Sequence, residues 1–193
     1  MRRCSWVLLA GVSIFITVAC QSRPSEPDYE VTATVKDLMD SMVDPIADVL
    51  WNAVAVIVTP SGTEERAPKT DEDWAAVRRG AITLVESTNL LRMPGRRIAR
   101  PGEKSENPKI ELEPEEMQAL VDKDRQAWNR LAHGLHEAAA EALRAIDAKN
   151  VRGLMEAGGK IDQACESCHL KYWYPNQYIP PVPSHLLERK GSS

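Results

Sequence analysis

Aromatic residues are scarce in this chain: one Phe, four Tyr and five Trp among 193 residues. Strands of a β-sandwich favour aromatic side chains, so the scarcity argues against that class. Cysteine is equally sparse. Four residues are too few for a disulfide scaffold at this length. A membrane span needs about 20 apolar residues, and the uncharged run Trp6–Ala19 falls short of that. Basic residues are not in excess, with 24 Lys and Arg against 28 Asp and Glu. The net charge of −4 argues against nucleic acid as a partner, because phosphate binding wants a basic face.

What is there suits one domain of ordinary size. At 43% hydrophobic and 27% charged residues, the chain is neither disordered nor a polytopic membrane protein.

The N-terminus reads as an export signal over residues 1–19. Arg2 and Arg3 form a basic start, and the apolar run follows. Small Ala19 precedes Cys20, and Ile16-Thr17-Val18-Ala19-Cys20 resembles a bacterial lipobox, with Thr17 where Leu is usual. That resemblance implies that Cys20 is acylated. Gln21 after it implies the outer membrane, so a lipid anchor on a periplasmic protein is expected. Ordinary cleavage near Ala19 is the alternative and leaves the protein free in the periplasm. Removing residues 1–19 takes away two arginines, Cys4 and no acid, so the net charge falls to −6. Residues 20–30 carry Pro24 and Pro27 among small polar residues and read as a tether.

Hydrophobic periodicity predicts four helices in the rest. The first covers about 31–59, with Val35, Leu38, Met39, Met42, Ile46 and Leu50 on one face. Pro45 should kink it. Its last stretch, Ala53–Val58, is β-branched enough to be a strand. Continuity with the stripe favours helix, and Pro60-Ser61-Gly62 ends the element. The second helix covers 71–92, capped by Thr70 or Asp71 and stopped by Met93-Pro94-Gly95. A long Pro/Gly/charge-rich loop spans 94–113. The third helix starts at Pro114 and runs to about Ala148. The fourth is capped by Asn150, and the tight Lys149-Asn150 junction makes the last two antiparallel neighbours. The expected fold is all-α, an antiparallel four-helix bundle over 31–174.

Chemistry concentrates in Cys165-Glu166-Ser167-Cys168-His169, a C-x-x-C-H run. This is the haem c attachment pattern. On a helix, positions i, i+3 and i+4 share one face. Both thiols can then bond a haem's vinyl groups while the imidazole takes an axial iron position. Three other uses compete. Zinc needs two more ligands, with His133 and His136 along the third helix and His185 in the tail. A thioredoxin-like pair expects a strand before its cysteines. A plain Cys165–Cys168 disulfide distorts the helix.

With four helices and a single C-x-x-C-H near the end of the last, the chain resembles the class II c-type cytochromes, the cytochrome c-prime family. The likeness covers about 31–174 and is architectural outside the motif. It implies one covalent haem c on Cys165 and Cys168, with His169 as the proximal iron ligand. It also implies a distal position filled by a methionine of the first helix in low-spin members, or left open in high-spin ones. Members of the family are often dimers through the first two helices, which makes a homodimer an expectation here.

In an up-down-up-down bundle, the distal ligand comes from the start of the first helix, the end of the second or the start of the third. Met39, Met42, Met93 and Met117 sit there, and Met39 is favoured, with Met42 second. Helical methionines also commonly serve as core filler. His133 is about 28 Å along the third helix from Pro114 and reads as an ordinary helix-face residue, as does His136. Arg92, Arg96, Arg97 and Arg100 cluster near the same end. Arg96 and Arg97 are candidates to pair with haem propionates, and a solvated basic loop is the other reading. Tyr172, Trp173, Tyr174 and Tyr178, with the Pro-rich segment behind them, form an aromatic tail over 175–193 and its approach. Packing on the bundle end is its simplest use; covering the haem edge or docking a partner is the other.

A Met/His pair raises the iron potential and suits one-electron transfer with periplasmic redox partners. No nucleophile–base pair or phosphate loop is evident, so no enzyme activity is expected. A five-coordinate binder of nitric oxide or carbon monoxide is the alternative, and a haem-free thiol or zinc protein is the second.

Overall fold

The computed structural model describes residues 29–177. The signal segment, Cys20, nearly all of the tether and the tail from Tyr178 onward, with His185, lie outside the described residues. Within them the protein is mostly helical, with one small two-stranded sheet. No helix among the described residues is long and apolar enough to cross a membrane.

The chain enters helix at α1, Val35–Leu38, through a capping box. Thr34 Oγ1 accepts from the Asp37 amide at 3.1 Å, and Asp37 accepts from the Thr34 amide at 2.9 Å. A π-helical turn follows over Met39–Val43, then α2, Asp44–Ala53. The Asp44 amide bonds the Met39 carbonyl, five residues back. Pro45, just inside α2, has no N–H to return to Ser41 and its ring crowds that carbonyl. The widened turn takes up this misfit, so the kink expected at Pro45 is realised as a π insertion one turn earlier.

The expected helix to Thr59 is not formed. After Val54 the backbone becomes extended, and Ala55–Thr59 (β1) pairs antiparallel with Gly62–Arg66 (β2). Val56, Ile57 and Val58 are β-branched and lose less rotamer freedom in a strand. Pro60 and Ser61 make the turn, and Gly62 takes a φ of +138° that a side chain would resist. The hairpin is a small addition to a chain that is otherwise helical, as an all-α fold allows.

Asp71–Leu91 (α3) matches its expected limits, with Thr70 and Asp73 forming a second capping box. The third predicted helix divides. Pro114–Lys123 (α4) ends at Asp124, whose backbone leaves the helical region. The Asp124 side chain then caps Arg125–Asp147 (α5) through the Ala127 amide at 2.9 Å. Lys149 takes a left-handed φ of 49°, and the Asn150 amide reaches back to the Ala145 carbonyl at 2.8 Å. This turn satisfies the last carbonyls of α5. It launches Val151–Tyr172 (α6), capped by Asn150.

The α5 helix packs on both α3 and α6, and α2 touches α3 and α6. Leu50, Leu84, Leu154, Ile161, Val43 and Val121 fill the interior, each at most 1% exposed. Burying a side chain of this size contributes about 1.5–3 kcal/mol. The 94–113 loop joins this core through Ile98 and Ala99. It is stitched to α1 by hydrogen bonds from Val35 to the Arg97 carbonyl and from Lys36 to the Ile98 carbonyl.

Candidate functional site

Cys165, Cys168 and His169 lie on the last turns of α6 and line one cleft. Leu91, at the end of α3, and Trp128, Leu131, Ala132 and Leu135, along α5, supply its apolar walls. Met39, Val43 and Asp44 come from the π turn and the residue after it. The lining is mostly hydrocarbon, with a sulfur donor, two thiols, an imidazole and one carboxylate. The cleft encloses only about 30 Å³. That is room for a water or two, so the elements must part when a larger group enters.

The cysteines are free and half-buried. Burial pushes the Cys165 thiol up to about 11 and the Cys168 thiol up to about 12. Both are therefore protonated thiols at neutral pH. His169 shifts the other way: burial disfavours the imidazolium, and the nearby Glu166 and Asp44 carboxylates oppose the shift only in part. A neutral imidazole keeps a lone pair for a metal. Asp44 is exposed as a whole residue, yet desolvation where it borders the cleft raises its carboxyl above the usual range.

The methionines separate. Met39 lines the cleft. Met42 is half-buried against the core and does not line it. Met93 accepts a hydrogen bond from Arg96 at 3.3 Å, and Met117 packs against the core. Neither histidine of α5 lines the cleft, and the reason differs from the expected one. Distance does not exclude them, because Leu131, Ala132 and Leu135 border the cleft. Helical phase does: exposed His133 stacks on His136 at 5.9 Å, and His136 Nδ1 sits 2.9 Å from the Thr88 hydroxyl.

The arginines near this end bond within the chain or face solvent. Arg96 is 5% exposed, and its guanidinium donates to the carbonyls of Leu90 and Ala33. It ties the 94–113 loop to the segment before α1. Arg100 pairs with Asp37 at 2.6 Å. Arg97 is exposed, and its backbone carbonyl accepts from Val35.

The aromatic run after the motif divides its work. Tyr172 is 3% exposed and stacks edge-on against Trp128 at 5.2 Å. Its buried hydroxyl has no hydrogen-bond partner among the described residues. Trp173 sets its ring at 88° to the His169 imidazole, 5.0 Å between centroids. Tyr174 places its hydroxyl 3.2 Å from His169 Nδ1. Asp44, Glu166 and Tyr174 are therefore site residues that periodicity and motif spacing did not single out. A weak signal for Glu166 was its place three residues before His169.

The donor set fits a haem by type: two thiols and a neutral imidazole at i, i+3 and i+4, apolar walls, and a thioether on another element. Zinc fits less well. Among the described residues, no three His, Cys, Asp or Glu side chains converge to hold a metal ion. No protein-family model, curated protein or solved structure matches the chain.

Proposed function

We propose that the protein is an exported monohaem c-type cytochrome of the class II kind, carrying single electrons between periplasmic redox partners. Cys165 and Cys168 hold haem c through thioethers, His169 is the proximal ligand and Met39 the distal one. The fold in this reading is an antiparallel four-helix bundle formed by α1–α2, α3, α4–α5 and α6, with the β1–β2 hairpin as an appendage. Cys20 carries the lipid anchor to the outer membrane, and a homodimer is part of the proposal. The chain is not read as an enzyme.

One observation supports this best: Met39 lines the same cleft as both cysteines and His169. The bound group supplies a one-electron Fe(III)/Fe(II) couple. The chain's own residues do the rest. The thiols stay protonated until haem attachment, which protects them from stray disulfide formation. Leu91, Leu131 and Leu135 exclude water, which lowers the local dielectric and tunes the potential. Met39 and His169 would supply a thioether and an imidazole to the iron, a pair that would raise its potential.

The test is an absorption spectrum of protein matured in cells competent for haem c assembly. A Soret band with low-spin features supports the carrier. High-spin features with carbon monoxide binding support the gas-binding alternative, and no Soret band returns the chain to the thiol or zinc class.

A further inference from the structure

We propose that Glu166 and Tyr174 are positioning residues that act through His169, fixing its tautomer and making it a more basic iron ligand. This rests on the haem reading above.

The Tyr174 hydroxyl lies 2.6 Å from Glu166 Oε2 and 3.2 Å from His169 Nδ1. A phenol has one proton, and an ionised carboxylate only accepts. The shorter contact has the length of a strong O–H···O bond, so the phenol O–H donates to Glu166 Oε2. The phenol oxygen then faces Nδ1 as an acceptor, and Nδ1 must carry the imidazole proton. That leaves Nε2 with the bare lone pair. The order is Nδ1–H to the Tyr174 oxygen, then Tyr174 O–H to the Glu166 carboxylate.

The backbone builds this arrangement where α6 stops. Trp173 and Tyr174 both donate their amides to the His169 carbonyl, at 2.8 and 3.0 Å. The chain therefore doubles back over the residue whose ring it holds. Trp173 closes one side of the imidazole edge-on. The Leu112 amide donates to the Trp173 carbonyl at 2.7 Å, which pins the segment to the long loop. Glu166 needs no such device, since it lies one turn before His169 on α6.

A hydrogen bond accepted from Nδ1–H raises the basicity of the ligating nitrogen. A more basic ligand stabilises Fe(III) over Fe(II), so the relay lowers the potential from the value a free imidazole sets. Tyr174→Phe keeps the ring and removes only the oxygen, and Glu166→Gln weakens the same chain from its far end.

The experiment compares wild type, Tyr174→Phe and Glu166→Gln as holoproteins, each checked for haem attachment by mass. Redox titration is expected to show a positive shift in Tyr174→Phe and a smaller shift of the same sign in Glu166→Gln. In a Met39→Ala background, the iron–histidine stretch of the ferrous protein, read by resonance Raman, is expected to fall with Tyr174→Phe. Unchanged potential and stretch in haem-loaded variants overturn the relay while leaving the haem reading intact. Wild type without haem overturns both. If Tyr174→Phe fails to mature, Glu166→Gln decides by the same two readouts.

Discussion

Met39 and His169 line one cleft, although they belong to the first and last helical segments of the core. Met42, one helical turn from Met39, does not join them. The π turn over Met39–Val43 sets which methionine is presented, because an extra residue in the turn rotates everything before it. Met39→Ala is therefore expected to abolish the sulfur–iron charge-transfer band and convert low-spin to high-spin iron. Met42→Ala is expected to leave the band in place. Optical and EPR spectra of the two oxidised variants check this directly.

Arg96 holds backbone, so its removal is a stability experiment. Arg96→Met takes the guanidinium donor from the Ala33 carbonyl and from the Leu90 carbonyl, which keeps the Met93 amide at 3.2 Å. Each lost buried partner costs about 1–3 kcal/mol. Thermal or denaturant unfolding is expected to show a loss in that range. Arg97→Glu, at an exposed position, is expected to leave stability nearly unchanged.

The capping boxes at the starts of α1 and α3 make stability depend on acid pH. Asp37 and Asp73 accept hydrogen bonds from the Thr34 and Thr70 amides, which hold both carboxyls below the ordinary carboxylate range. A depressed folded pKa means that the unfolded chain binds protons first as pH falls. The contribution is therefore complete well above about pH 4 and is lost progressively below it. Asp73→Asn is expected to lower the melting temperature at pH 7 and to make little difference at pH 3. Thermal melts across that range check the sign.

The thiols give a second pH-dependent property. Burial raises Cys165 to about 11 and Cys168 to about 12, so haem-free protein is expected to react slowly with iodoacetamide at pH 8. Urea is expected to speed the reaction by exposing thiols of ordinary acidity. Fast labelling of the folded protein at pH 8 contradicts the described burial.

Much of this was legible in the residues. The stripes of α3, α5 and α6 stand out because each helix buries one face, and Thr70, Pro114 and Asn150 mark starts through chemistry that only helix ends need. The hairpin was hidden for two reasons. Val54–Val58 continues a helical stripe, and its partner, Gly62–Arg66, is exposed throughout and shows no alternation. Asp124 gave no warning, since one Asp on a long helix usually faces solvent. At the cleft, spacing alone puts Cys165, Cys168 and His169 on one helix face, while the stripe carries both Met39 and Met42 and does not say which of them lines the cleft. Asp44 enters only through the π turn. Tyr174 reaches His169 only because α6 ends at Tyr172 and folds back, which is a matter of tertiary geometry.

The most direct measurement is the intact mass of the exported protein, with a pyridine haemochrome spectrum of the same sample. One tetrapyrrole bound to the peptide that spans Cys165 and Cys168, and stable to acid-acetone extraction, is the predicted result. Two unmodified thiols on that peptide, in material from cells that mature other c-type cytochromes, contradict the account at its base.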